Sequence, residues 1–306
     1  MKATIDLPLK LRGRYKLEAV DVFTGRRRLL ADWFDNLITD NGLDLLGTTG
    51  NFQTYCLVGS GNTAPANSNT ALVTFVASTS STTNSLNTNS GSSPYFGTMT
   101  RTWRFAIGTA TGNLSEIGIG PNSTNTGLFS RALILDGGGS PTTITVLSTE
   151  ALDATYQLQV YAPLTDVTGN VTINAVSYAY VMRAANANSS GSWGGPNAAN
   201  GDRMGLNGLT VYNGSIGSIT SQPGGSSGNN GGIAVQSYTP GSLFIDSIVS
   251  FGLSDGNVSG GISAALLTYG RNFSSLGSFQ VSFTPALPKD GSHTMTLTFR
   301  QSWARH

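Results

Sequence analysis

Charge is what this 306-residue sequence has least of. Asp, Glu, Lys and Arg make up 11% of it, against roughly 25% in an ordinary soluble domain. No charged residue occurs from Leu45 to Thr100, and none from Met204 to Ile245. Cysteine is limited to one residue, Cys56, which excludes a disulfide scaffold, and two histidines are too few for a His/Cys metal centre. No apolar run approaches the ~18 residues that a membrane helix needs, so no membrane insertion is expected. The opening MKATIDLPLKLRGRYKL places Lys10, Arg12, Arg14 and Lys16 where a secretory signal has its apolar stretch. The expectation is therefore folding in a cytoplasm.

Gly, Ser, Thr and Asn fill the place of the missing charge, with 39 glycines in the chain. The few charges are segregated. Residues 1–28 carry eight basic residues against Asp6, Glu18 and Asp21, and the rest of the chain leans acidic. Most free-standing proteins rely on surface charge for solubility. A neutral polar exterior instead suits a chain packed against copies of itself, because a charge on a symmetric interface meets its own image and repels it. Arg26, Arg27 and Arg28 have two readings: a solvated turn between two short strands, or an arm that docks on an adjacent subunit. Nucleic acid is not an expected partner, since the run is short and no recognition helix follows it.

Hydrophobic periodicity predicts an all-β chain, an antiparallel β-sandwich or jelly-roll-like domain. One short helix is expected near the N-terminus, capped by Asp32 and carrying Trp33, Phe34, Leu37 and Ile38, with Asp40-Asn41-Gly42 ending it. Met295, Leu297 and Phe299 alternate with threonines, and Phe279, Val281 and Phe283 alternate with polar residues. With the Asp290-Gly291 turn signal between them, these two runs read as an antiparallel pair. Tyr156, Leu158 and Val160 alternate likewise. Further strands are expected at 55–58, 102–107, 128–135, 142–147, 171–182, 209–212, 243–251 and 262–269. Residues 78–93 and 186–232 read as long loops. The domain reading is a basic N-terminal arm with the first strands over 1–31, then one large sandwich over 32–306 with a loop-rich insertion around 183–240.

Motifs for catalysis are weak. Gly224-Gly225-Ser226-Ser227-Gly228 matches a nucleophile elbow in letters only, with no strand before it and no helix after it. Gly59-Ser60-Gly61 and Gly118-Ile119-Gly120 complete no dinucleotide fingerprint, and there is no P-loop lysine or calcium loop. His293 and His306 have no recognisable catalytic partner. Asp246 and Asp255 are the acids a glycosidase would have to use. The chain is read as a non-enzyme without cofactor or metal. Arg101, Arg104 and Glu116 stand out as isolated charges near Trp103 and Phe105, with a structural ion pair between one of these arginines and Glu116 expected. Trp193 and Tyr212, beside polar loops, would form an aromatic platform for sugars in the alternative reading.

Four stretches carry a family resemblance. Trp33-Phe34-Asp35-Asn36-Leu37-Ile38-Thr39-Asp40-Asn41-Gly42-Leu43-Asp44 resembles the F-x-N-L-I-T-x-x-G-L segment of many tailed-bacteriophage virion proteins. Val58-Gly59-Ser60-Gly61-Asn62-Thr63-Ala64-Pro65, with Thr70-Ala71-Leu72, is similar to their G-x-G-x-x-x-P … T-x-L stretch. Ala110–Gly118, then Leu128-Phe129-Ser130-Arg131-Ala132, is similar to their G-x-x-x-E-x-G … L-F-S-R-A core. Phe283–Lys289 and Trp303-Ala304-Arg305 are also similar. The resemblance covers roughly 15–135 and 275–306. It implies a structural subunit of the tail, collar, baseplate or tail fibre, assembled in the host cytoplasm as a symmetric homo-oligomer with other virion proteins, with Glu116 and Arg131 holding the sheet together. The alternatives are a tail-tip module that binds host-surface glycans and a capsid decoration protein.

Overall fold

The structure is a computed structural model and describes residues 4–48, 51–195, 203–271 and 276–306. It is all-β apart from one helix, Asp40–Thr48. The largest sheet has eight strands. Across it run Gly232–Val235, Phe244–Phe251, Met295–Arg305, Thr4–Asp21, Glu150–Tyr161, Phe96–Phe105 and Thr82–Asn89, and Arg27–Asp35 pairs back on Thr4–Asp21. A five-stranded sheet orders Leu37–Ile38, Ser130–Leu133, Glu116–Gly120, Tyr55–Gly59 and Phe75–Thr79. A six-stranded sheet orders Val167–Ile173, Val176–Ala184, Gly277–Leu287, Ile262–Arg271, Arg203–Tyr212 and Ser227–Gly228. Ile144–Val146 pairs with Gly112–Leu114.

The 18-residue strand Thr4–Asp21 is central. Ile5, Leu7, Leu9, Leu11, Tyr15 and Leu17 are buried while Lys10 and Arg12 are exposed, which is the period-two alternation of a strand with one face in the core. One edge pairs antiparallel with Glu150–Tyr161. The other edge runs parallel to Met295–Arg305 over residues 4–11, then changes partner to Arg27–Asp35. The buried face serves both smaller sheets. Toward the five-stranded sheet, the Tyr15 and Ser130 hydroxyls share a 2.8 Å hydrogen bond, and Trp103 Nε1 donates to the Thr54 carbonyl at 3.3 Å. Toward the six-stranded sheet, Gly205 N donates to Gln301 Oε1 at 2.6 Å and Leu206 N to Ser247 Oγ at 3.1 Å. One continuous apolar cluster joins these layers.

Several expectations are corrected here. The helix expected from Asp32 to Ile38 is absent, since Asp32, Trp33, Phe34, Leu37 and Ile38 belong to the strands Arg27–Asp35 and Leu37–Ile38. Phe34 turns inward against Tyr15, and Trp33 turns outward beneath the Arg14 guanidinium at 4.5 Å. The helix starts where a break was expected, because the Thr39 hydroxyl accepts the Gly42 N–H at 2.9 Å and caps it. Of the segment read as a basic arm with the first strands, the described part holds strands and no free arm, since Thr4–Asp21 lies inside the largest sheet. Residues 278–284 and 294–299 do not pair with each other. Gly277–Leu287 lies in the six-stranded sheet and Met295–Arg305 in the eight-stranded one, and the Pro288–Thr294 link crosses between the layers. Residues 171–182 form a hairpin, not one strand, turning at Asn174 and Ala175 with φ of 48° and 65°. The supposed loop 78–93 contains Thr82–Asn89, and 186–232 contains Arg203–Tyr212. Residues 196–202 of that stretch lie outside the described residues.

Gly42 provides a test of this packing. A Cβ there would sit 1.9 Å from the Phe129 carbonyl oxygen, which is held by the Thr39 amide at 2.9 Å. Alanine is the better helix former by about 1 kcal/mol. Gly42→Ala is nevertheless expected to destabilise by about 1–3 kcal/mol, because the carbonyl has nowhere to move. A shift of the urea midpoint to lower concentration checks it; an unchanged or higher midpoint contradicts the close approach.

Candidate assembly surface

The charge-free stretch folds into two free sheet edges. Phe75–Thr79 is the outermost strand of the five-stranded sheet and Thr82–Asn89 the outermost of the eight-stranded one, joined by Ser80-Ser81. The Arg104 amide donates to the Ser81 carbonyl at 2.9 Å, and the Thr79 hydroxyl to the Arg104 carbonyl at 3.1 Å, which fixes the crossing. Val73, Phe75, Val76 and Leu86 are exposed, at 54, 40, 41 and 53%. Edge strands present unpaired N–H and C=O groups, and proteins ordinarily blunt them with lysine, proline or inward charge. From Val73 to Asn89 there is none of these. The threonines favour extended backbone without bringing charge.

A buried ion pair delivers the chain to this surface. Glu116 and Arg131 are both fully buried, and Arg131 Nε donates to Glu116 Oε2 at 2.9 Å. The carboxylate also accepts the backbone N–H groups of Gly61, Val73 and Thr74 at 3.0, 3.1 and 2.7 Å. Arg131 donates to the Thr63 carbonyl at 2.7 Å and to Asn69 Oδ1 at 2.9 Å. The pair thus holds the loop 60–74 at both ends and sets the start of the Phe75–Thr79 edge. A Cβ at Gly59 or Gly61 would lie 2.7 or 2.4 Å from Glu116 Oε1, so these glycines make room for the carboxylate. Burial pushes the Glu116 carboxyl upward, but the Thr74 and Val73 amides and the Arg131 guanidinium outweigh it and hold it below the usual glutamate range.

Arg101 and Arg104, three residues apart on Phe96–Phe105 and so on opposite faces, do not join this pair and are engaged elsewhere. Arg101 faces inward, donates to the Gln53 carbonyl at 2.7 Å and lies 5.5 Å from the Trp103 ring centre. Its burial lowers its pKa. Arg104 faces outward and grips Asp153 with two 2.7 Å bonds. Asp153, which the sequence reading passed over, also receives Arg27 at 2.8 Å. Its signal was an acid inside the alternating run Glu150–Tyr161. Arg27 and Arg28, read above as a solvated turn or a docking arm, are engaged within the chain. Arg27 bonds Glu18 and Asp153, and Arg28 bonds Glu150 at 2.7 Å, so both bind their own chain. Arg26 is exposed at the hairpin turn.

The sugar platform is also corrected. Trp193 is fully buried, donates Nε1 to the Ala185 carbonyl at 2.9 Å and meets Phe279 edge-on at 5.6 Å. Its backbone lies against Gly97 and its ring against Gly277, so it offers no face to solvent. Tyr212 ends the Arg203–Tyr212 strand, half-buried. Asp246 is held by Arg300 at 2.8 Å, and Asp255 accepts the Gly252 amide at 2.9 Å in a turn. His293 Nδ1 meets Asp290 at an exposed turn, and His306 stacks on Tyr161 with ring centres 4.0 Å apart. Among the described residues no group of three His, Cys, Asp or Glu is placed to hold a metal. A groove of about 520 Å³ beside residues 28–32 and 142–145 contains Arg28, Asp32 and Asp136, but Arg28 is committed to Glu150. Comparison with protein-family models, with curated proteins and with solved structures finds no match to this chain.

Glu116→Gln is expected to cost about 3–5 kcal/mol, because it leaves the Arg131 charge buried without its counter-ion. The pH dependence has a definite sign. The folded carboxyl titrates below its ordinary 4.5, so the unfolded chain binds the proton first on acidification. Its contribution is complete above about pH 4.5 and is lost as pH falls through the lower folded value. Denaturant melts of wild type and Glu116→Gln between neutral and acid pH should converge on acidification. A constant gap across that range contradicts the assignment.

Proposed function

We propose that this chain is a structural subunit of a bacteriophage virion, in the tail, collar or baseplate, that assembles as a symmetric homo-oligomer. The observation that carries the reading is the pair of free edges over Val73–Asn89, uncharged, partly apolar and without the devices that keep edges solitary. A lone soluble protein gains nothing from such a surface, whereas a subunit buries it.

The stretches that resemble phage virion proteins support the same reading by where they fall. Leu37–Ile38 pairs with Ser130–Leu133, which pairs with Glu116–Gly120, which pairs with Tyr55–Gly59. The Gly59–Leu72 loop closes over Glu116 and Arg131. Trp303 Nε1 donates to the Leu43 carbonyl at 2.9 Å, and Arg305 Nε to the Ile38 carbonyl at 2.5 Å. The motifs thus form one packed unit around the buried pair, and that unit presents the Phe75–Thr79 edge. The function is assembly and not chemistry, with copies of the chain and neighbouring virion proteins as partners.

The molar mass of the purified chain by light scattering tests this. A discrete oligomer that persists on dilution is expected, and imaging of particles with a tag on the chain should place it in the tail region. A monomer at high concentration, or a particle without the chain, overturns the reading.

A further inference from the structure

We propose that the Thr82–Asn89 edge seats a second copy of this chain, paired antiparallel about a twofold axis that passes beside Leu86. The inference rests on the self-assembly reading above and goes further by naming the strand, the occupant and the register.

Thr82–Asn89 is hydrogen-bonded on one side only, to Phe96–Phe105, with Leu86 opposite Thr100 and Thr88 opposite Thr98. Among the described residues no strand pairs with its other side. A twofold axis perpendicular to a sheet sets one residue opposite its own copy and every other residue opposite its mirror position. Centred on Leu86, the pairs are Leu86 with Leu86, Ser85 with Asn87, Asn84 with Thr88, and Thr83 with Asn89. Each pair is neutral, so nothing meets its own charge. Leu86 is the only apolar side chain on this strand and is 53% exposed. In this register it is covered by its counterpart, since directly opposed Cβ atoms lie about 4.5–5.5 Å apart.

The chemistry of the edge also favours a copy over a different protein: with no charge between Leu45 and Thr100, the strand carries no electrostatic code for another partner, and its hydroxyl and amide side chains complement themselves.

Cysteine cross-linking tests the register in the full chain. The one native cysteine, Cys56, is fully buried, so an introduced thiol reports alone. Leu86→Cys is expected to give a disulfide-linked dimer under mild oxidation, with most of the chain shifted on a non-reducing gel. Thr83→Cys should give none, because its copies stand six residues apart along the strand, about 20 Å, beyond the ~7 Å that a disulfide spans. Leu253→Cys, exposed at 55% and next to Phe244–Phe251 on the opposite side of the same sheet, controls for collision. Equal cross-linking at all three positions overturns the proposal. If the wild-type chain is oligomeric but Leu86→Cys does not cross-link, and Leu86→Lys leaves the mass unchanged, this edge is not the contact and the assembly reading survives. If the wild-type chain is monomeric, both fall.

Discussion

The rest of the structure depends on the alternation along Thr4–Asp21. Its inward row of Ile5, Leu7, Leu9, Leu11, Tyr15 and Leu17 is long enough to underlie both smaller sheets, so one strand makes the layers share a core. Each fully buried aliphatic side chain contributes about 1.5–3 kcal/mol relative to exposure. A single change of period in this strand would turn the row outward for every residue beyond it. Its pairing has the same economy. The strand has continuous neighbours because Met295–Arg305 and Arg27–Asp35 divide one edge between them. The opposite edge pairs with Glu150–Tyr161 over residues 10–21, and the two outermost strands over Val73–Asn89 lie elsewhere in the sheets.

The scarce charges follow from that arrangement. In sequence the first 28 residues are strongly basic, but folding brings acids from distant segments to meet them. Asp35 meets Arg12, Asp153 and Glu18 meet Arg27, and Glu150 meets Arg28. Farther along the chain, Arg183 meets Asp166, Arg300 meets Asp246 and Arg305 meets Asp40. An exposed pair of this kind is worth only about 0–1 kcal/mol, so stability is not its main effect. The effect is that the arginines are spent inside the chain, and the exterior stays neutral where Val73–Asn89 reaches it. The Glu116–Arg131 pair differs in kind. It is fully buried and ties together backbone groups that no apolar pair could satisfy.

The sequence made the all-β class legible through period-two runs such as Met295–Phe299 and Tyr156–Val160, because alternation fixes which face of a strand is buried. It does not fix which strand lies beside it. Gly277–Leu287 and Met295–Arg305 read as a hairpin, although the Asp290-Gly291 turn between them links two layers. The spacing of Trp33, Phe34, Leu37 and Ile38 reads as helical although these residues alternate in strands, and the Thr39 hydroxyl that caps the actual helix start is a local signal three residues long that the reading passed over. The Thr82–Asn89 strand was hidden for a different reason. A strand exposed on both faces has no buried row, so its composition is that of a loop. Glu116 was visible as a lone charge in a neutral context, but its partner Arg131 was legible only through the family resemblance, and the amide and carbonyl partners of the pair have no sequence signal.

That last blindness bears on function. The segments that resemble virion proteins were visible by their letters, whereas the surface they support was not, because an interface strand awaiting its neighbour looks like a polar linker. Two explanations compete for a neutral Ser/Thr/Asn stretch: a linker that never orders, or a strand that is finished by another chain. A linker would have no need of a fully buried ion pair holding its entry at Val73 and Thr74, nor of the Thr88–Thr98 hydroxyl contact at 2.6 Å and the Asn89 bond to the Ala187 carbonyl at 2.8 Å near its exit. Fixing both ends costs conformational freedom of about 1–2 kcal/mol per ordered residue. That cost, set on an edge with no buried row of its own, is offset when the open hydrogen bonds and the bare Leu86 find a second strand.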